Sequence, residues 1–269
     1  MTQTEIIKSY YDEIVETEWE RIADRPEFLL TCRFIQRYIK PGDKVLDIGG
    51  GPGRYSLWLA EKGCDVTLVD LSTENIRFAR EKAKERKLSL RALEGDARTV
   101  DSLFTEQFDH VLLMGPLYHL LEESDRIKAV NASLKLLKPG GVIFVSFINL
   151  FAGMIYAMKF EPEIISDVNE IDFYKSVLEN KSFAGEAFTQ AFFIRQDDVL
   201  PFMDRFPLEK LHFFGQEGFT SPCEDNIMSQ PKEIVNVWLD MCEKLAERED
   251  LLSWAEHLMY VGRKKDRPL

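Results

Sequence analysis

The chain has 269 residues and a formal net charge of −12. With 45% apolar and 30% charged residues it has the composition of an ordinary globular protein, long enough for one large domain or one domain with a cap. The negative balance works against a phosphate backbone as partner, and no apolar run reaches the about 18 residues of a membrane-spanning helix.

Residues 4–22 place Ile6, Ile7, Tyr10, Tyr11, Ile14, Val15 and Ile22 on one helical stripe, with Trp19 a step late. Charged Glu5, Lys8, Asp12 and Glu13 within it leave no signal-peptide core. Pro26 opens a second helix to about Ile39, as proline is tolerated in a first helical turn. After the Pro41-Gly42 turn, Lys44–Ile48 reads as a strand. It enters a glycine-rich turn, and a helical pattern over Arg54–Lys62 leaves it. A second apolar run ends in Asp70, and a helix over Thr73–Arg86 follows with Ser72 as its cap. Gly95-Asp96-Ala97 comes next, then a strand over Phe108–Met114. A serine-started helix over Ser124–Leu137 is closed by Lys138 and Gly140, and a strand over Val142–Phe147 completes the series. Alternating short apolar strands and helices imply a parallel sheet buried on both faces.

The rhythm breaks over residues 149–206. This stretch holds helical patterns near Leu150–Lys159 and Ile164–Glu179, an extended aromatic run at Phe188–Ile194 and a short helix from Asp197-Asp198. It reads as an inserted cap. Strands at Leu208–Phe214 and His257–Lys264 follow, separated by a helix over Lys232–Arg248. The basic residues Arg263, Lys264, Lys265 and Arg267 read as a solvated tail. Cys32, Cys64, Cys223 and Cys242 are scattered without a C-x-x-C pair, which implies free thiols, no metal site and a cytoplasmic location.

The glycine turn reads Asp47-Ile48-Gly49-Gly50-Gly51-Pro52-Gly53. A dinucleotide turn of the form G-x-G-x-x-G started at Gly49 would need glycine where Arg54 stands, and one started at Gly51 would need it where Ser56 stands. A nicotinamide enzyme is therefore disfavoured. Glycines at these positions allow positive φ and close approach of a ligand carrying a carboxylate and a ribose, and both oxygens of Asp70 suit ribose hydroxyls.

These residues resemble the class I S-adenosylmethionine-dependent methyltransferases. The glycine turn looks like their first motif, Asp70 like their ribose-binding acid and Gly95-Asp96-Ala97-Arg98 like their adenine-binding segment. Phe108–Met114 resembles the fourth strand, Leu137–Gly141 with Val142–Phe147 the turn and fifth strand, and the two late strands the sixth and seventh. The resemblance implies a Rossmann-like α/β fold with a seven-stranded, mostly parallel sheet and helices on both faces. It adds amino-terminal helices and a helical, aromatic insertion after the fifth strand. The expected division is an amino-terminal helical lid over 1–40, a cofactor-binding core over 41–148, the cap over 149–206 and completion of the sheet over 207–269. S-adenosylmethionine is the implied cofactor, held by Asp47, Gly49, Gly50, Gly51, Gly53, Tyr11, Asp70, Leu71, Asp96, Ala97, Met114 and Leu117.

Met114-Gly115-Pro116-Leu117-Tyr118-His119 stands where relatives that methylate base or amide nitrogens carry an Asn-Pro-Pro-Tyr type segment. The variant points to a small-molecule acceptor. The alternatives are a methyltransferase of tRNA, rRNA or protein, or a non-catalytic protein that binds the cofactor. His119, just past a strand tip, is the candidate base, because imidazole changes charge near neutral pH. Tyr118 either walls the transfer site or packs the turn. Tyr10, Tyr11 and Trp19 lie on a helix that closes over the cofactor in such proteins. His110 reads as structural, and His212 and His257 as residues able to face the cap. The aromatic residues between 147 and 193 divide between core and substrate pocket. The acceptor atom and the oligomeric state are not specified by these motifs.

Overall fold

The computed structural model describes residues 1–21 and 23–266. Ile22 of the amino-terminal stripe and Arg267 of the basic cluster lie outside the described residues. The amino-terminal pattern forms two helices rather than one, α1 (Gln3–Glu13) and α2 (Val15–Arg21). The break falls at Ile14, and Trp19, out of phase with the first stripe, belongs to the second helix. There it lies beside Phe78 (centroids 5.5 Å) and under the Arg54 guanidinium at 3.5 Å. Thr2 and Glu5 close a capping box at the start of α1.

From α3 (Pro26–Tyr38) the chain alternates: β1 (Lys44–Ile48), α4 (Arg54–Glu61), β2 (Asp65–Asp70), α5 (Thr73–Glu85), β3 (Arg91–Glu94), β4 (Phe108–Leu113), α6 (Glu123–Leu136) and β5 (Leu137–Asn149). The Ser72 side chain caps α5 by accepting from the Asn75 N–H at 3.0 Å. α6 starts a residue earlier than expected, and Glu122 at its N-cap makes no side-chain cap bond. β5 runs well past Val142–Phe147 at both ends, its start taking in the Pro139-Gly140-Gly141 turn, where Gly140 has φ +73°.

The inserted segment holds α7 (Ala152–Phe160), α8 (Ile171–Leu178), β6 (Phe183–Glu186), β7 (Gln190–Ile194) and α9 (Gln196–Met203). The helix expected near Ile164–Glu179 is broken into two short 3-10 turns before α8. Then come β8 (Leu208–Gly215), α10 (Glu224–Met228), α11 (Lys232–Leu245) and β9 (His257–Lys264).

The main sheet runs β3-β2-β1-β4-β5-β9-β8, with the first five strands parallel and β9 antiparallel to both neighbours. The β6–β7 hairpin is an addition to the seven expected strands. β7 pairs with the far end of β5 at Ile148 and Asn149, so the insertion extends the sheet as well as covering it. Alternate residues of each central strand face opposite layers. Leu46, Ile48, Val111, Leu113, Ile143 and Val145 pack with α6 and α9, while Val45, Val66, Leu112 and Phe144 pack with α3, where Phe34 stacks on Phe214 at 3.8 Å. Phe173, Phe183 and Phe193 form the insertion's own core. The basic end is not a free tail, since Lys264 lies in β9 and donates from Nζ to the Leu134 and Leu137 carbonyls at the end of α6.

Candidate functional site

The loops after β1, β2, β3 and β4 converge on one cavity, roofed by α1 and α2. This is where a parallel sheet with crossover helices places its ligands, since the strand ends and helix amino termini meet there. Gly49 has φ +72°, and a Cβ on it would sit 2.4 Å from Pro116 Cδ. Gly51 has φ +55°, and its absent Cβ leaves open space on the cavity side. The close approach requires glycine at Gly49, while Gly51 takes a left-handed φ that glycine adopts without strain.

Behind this turn, Asp47 is fully buried. Its Oδ2 accepts from Ser56 Oγ at 2.7 Å, its Oδ1 has no partner, and burial pushes its carboxyl up to about 7. Asp70 organises the next loop. Its Oδ2 accepts from the Gly51 N–H at 2.8 Å, and its Oδ1 accepts from the Ser72 N–H at 2.8 Å and Asn75 Nδ2 at 3.2 Å. Burial raises its carboxyl, against the pull of those bonds. Asp96 is a paired acid rather than a free one. Its Oδ1 accepts from the Arg98 backbone N–H at 2.8 Å and its Oδ2 from Arg98 Nη2 at 2.5 Å. Burial opposes its ionisation, but Arg98 outweighs that and holds the carboxyl below its ordinary value.

Of the residues expected at the site, Tyr11, Asp47, Gly49, Gly50, Gly51, Asp70, Leu71, Asp96, Ala97, Met114, Tyr118 and His119 line the cavity. Gly53 and Leu117 do not. Gly53 starts α4 at φ +88°, with its hypothetical Cβ 3.1 Å from that of Ala79, so it serves helix packing. Leu117 is fully buried in the core beside β4.

His119 also departs from its expected role as free base. Its Nδ1 lies 3.0 Å from the Gln190 carbonyl of β7. A carbonyl only accepts, so Nδ1 carries the proton and Nε2 accepts from the Tyr11 hydroxyl at 2.7 Å. Burial drives the imidazole down to about 4. The neutral ring, with both nitrogens engaged, bridges α1 and the β6–β7 hairpin. Burial also holds the neighbouring Tyr118 phenol well above its ordinary value. Phe188 reaches the same corner, 5.8 Å from His119 and 6.0 Å from Tyr10 between ring centroids.

The remaining histidines sort by partner. His110 meets Asp43 at 3.2 Å, as a structural residue, and His212 lies between Tyr38 at 2.7 Å and Glu247 at 3.0 Å. His257 joins a charged cluster below the cavity. Its Nδ1 is 2.6 Å from Glu217 and 3.9 Å from Glu27, and Glu27 accepts from Arg21 Nη1 at 3.0 Å. Burial alone would lower this imidazole, but the two carboxylates raise it to about 9. Glu18, Arg21 and Glu27 also line the cavity, although no motif marks them. The available signal was Glu18 and Arg21 one helical turn apart, interrupting an apolar stripe.

Strand order and glycine turn define a Rossmann-like fold with a cavity at the strand ends. Residues 45–141 match a family model described as a methyltransferase domain. The chain is 31% identical over 179 residues to a ubiquinone biosynthesis O-methyltransferase of Actinobacillus pleuropneumoniae, covering 60% of this chain and 74% of the relative. It is 28% identical over 182 residues to the protein of that name from Erwinia tasmaniensis, where the match spans 65% of either chain. Its fold is similar to that of the CcbJ methyltransferase from Streptomyces caelestis, with a TM-score of 0.63 and 15% identity over 96% of this chain and 98% of that one. The chain belongs to the class I S-adenosylmethionine-dependent methyltransferases, and S-adenosylmethionine is its cofactor.

Proposed function

We propose that this chain transfers the methyl group of S-adenosylmethionine to a small-molecule acceptor held between the amino-terminal helices and the inserted segment. The observation that carries this reading is the helical roof over the cavity. α1 and α2 roof it, and the Tyr11–His119–Gln190 chain of hydrogen bonds joins the roof to the β6–β7 hairpin. Its wall bears Glu18, Glu27, Asp47, Asp70 and Asp96 against Arg21 and Arg98, a balance that repels a polyanion. The names of the relatives at 28% and 31% identity support a small oxygen acceptor. Among the described residues, no helix is long and apolar enough to cross a membrane, and free thiols at all four cysteines fit a cytoplasmic setting.

The wall fits the cofactor. Asp47 and Asn75 each line the cavity and each keep one oxygen without a partner. The second lone pair of Asp70 Oδ2 suits a ribose hydroxyl, and Ile7, Leu71, Ala97 and Leu120 provide apolar surface for a base. When bound, the cofactor supplies a methyl activated by sulfonium charge. The protein's part is to align the acceptor and exclude water. Tyr118 walls the transfer site in this reading, and His119 holds the Tyr11 phenol in place.

The test is calorimetric titration with S-adenosylmethionine, S-adenosylhomocysteine and NAD, followed by an acceptor screen of catechols, phenols and small amines. Micromolar binding of the first two ligands, silence for NAD and turnover on a small acceptor are expected. Turnover on RNA or protein alone would overturn the acceptor assignment.

A further inference from the structure

His257 carries a ring nitrogen that the fold leaves free. Glu217, itself buried, grips the residue at two points. Its Oε2 accepts from the His257 backbone N–H at 3.0 Å and its Oε1 from Nδ1 at 2.6 Å. A carboxylate only accepts, so Nδ1 carries a proton and the plane of the ring is fixed. Nε2, on the other edge, has no hydrogen-bond partner among the described residues and is not sealed in the interior. The other histidines differ. His119 and His212 have both ring nitrogens engaged, and the unpartnered Nδ1 of His110 is buried. Antiparallel pairing sets His257 opposite Ile148 near the end of β5, at the sheet edge where the cofactor-binding loops leave. Three cavity-lining residues surround it. Tyr118 lies 6.3 Å away between ring centroids, Glu27 lies 3.9 Å from Nδ1, and Gln216 donates its backbone N–H to the His257 carbonyl at 2.9 Å.

We propose that His257 is the catalytic base for a hydroxyl-bearing acceptor, taking its proton at Nε2, with Glu217 as the positioning residue. The inference rests on the functional reading above and narrows the acceptor to one whose nucleophilic oxygen must lose a proton. The acceptor oxygen bonds the methyl carbon as the sulfur–methyl bond breaks, its electron pair staying on sulfur. The hydroxyl proton passes to Nε2 and from there to solvent. Only a ring that is neutral beforehand accepts it. Glu217, Glu27 and Arg21 act on the ring directly, the Tyr118 phenol beside it stays protonated, Glu256 acts on Glu217, and Lys159 acts on Glu27. Burial would lower the imidazole, but the two carboxylates outweigh burial and Arg21 and keep it charged up to about pH 9. Transfer therefore speeds up with rising pH and levels off above that value.

The experiment measures methyl transfer from S-adenosylmethionine to catechol and to phenol, from neutral to alkaline pH, for the wild type, His257→Gln and Glu217→Gln. Each protein is also titrated calorimetrically with S-adenosylhomocysteine. The wild type should show a rising limb that levels off near pH 9. His257→Gln should lose about 10²- to 10⁴-fold in kcat together with the limb. Its unchanged affinity for S-adenosylhomocysteine would show that it is folded. Should it not fold, His257→Asn carries the comparison. Glu217→Gln keeps the base but removes the carboxylate that holds its proton, so the limb moves to lower pH, a shift that a merely structural role would not produce. Full activity in His257→Gln, or a limb that persists in it, overturns the proposal. A wild type that binds S-adenosylhomocysteine but methylates neither catechol nor phenol also overturns it, and turnover on a small amine would then leave the functional reading standing. A wild type that binds no cofactor overturns both.

Discussion

Asp70 accepts three hydrogen bonds on two oxygens and lines the cavity as well. Asp70→Ala leaves the Gly51 and Ser72 N–H groups and the Asn75 amide unpaired, so cofactor affinity falls by about 1–3 kcal/mol in a calorimetric titration. Unchanged affinity would remove the ribose assignment. Asp70 stands out in the sequence because an acid closes an apolar strand at a fixed distance from a glycine turn. His119 stands out equally, yet its state depends on the Gln190 carbonyl 71 positions away and the Tyr11 hydroxyl 108 positions away. Its folded pKa of about 4 lies below the ordinary value of about 6.5. Imidazole NMR shifts should show the ring neutral through pH 5, with no limb near 6.5 in the pH–rate profile. A titration near 6.5 would return His119 to the role of base.

Among the elements, the β1–α4 turn and the inserted segment are held by different physics. Gly49 and Gly140 have nearly the same φ, +72° and +73°, but a Cβ at Gly49 strikes Pro116 at 2.4 Å while one at Gly140 meets nothing within 4 Å. Gly140→Ala should therefore cost only the backbone term, about 1–2 kcal/mol. Gly49→Ala should cost clearly more and weaken cofactor binding, because the β1 and β4 loops must separate. Equal melting temperatures for the two variants would contradict the close approach. The insertion is tied to the body through Lys159 of α7, whose side chain is 7% accessible. It lies between Glu224 at 2.7 Å and Glu256 at 2.9 Å. Lys159→Met removes the cation that bridges two mostly buried carboxylates and leaves only Arg25, 3.8 Å from Glu224, beside them. A loss of about 3 kcal/mol, with faster amide exchange in α7, is expected. Exchange unchanged in α7 would show that the apolar contacts alone hold the segment.

At the scale of the whole molecule, the charge cluster Arg21–Glu27–His257–Glu217 joins α2, α3 and the last strand. The folded pKa of His257, about 9, lies above its unfolded value. Its contribution to stability is full below about pH 6.5 and is lost as the pH rises through about 9. The stability gap between wild type and His257→Gln, measured by denaturant titration, should be widest near pH 6 and close toward pH 9.5. A gap that does not vary with pH would mean that His257 is neutral in the fold.

The β1, β2, β4, β8 and β9 strands, the helices starting at Pro26 and Thr73 and the glycine turn are all visible in the sequence. Each rests on local causes: strand and helix periodicity, caps, and backbone angles that only glycine adopts easily. Twelve of the fourteen expected site residues line the cavity for the same reason, since strand ends converge in a parallel sheet. Gly53 and Leu117 do not line the cavity, because a motif does not say which of its members turn inward. The added hairpin, the breaks at Ile14 and before α8, the neutral His119 and the Arg21 cluster depend on partners distant in the chain. A buried group takes its protonation and its donors' directions from whatever neighbours the fold supplies, and only the tertiary structure decides those.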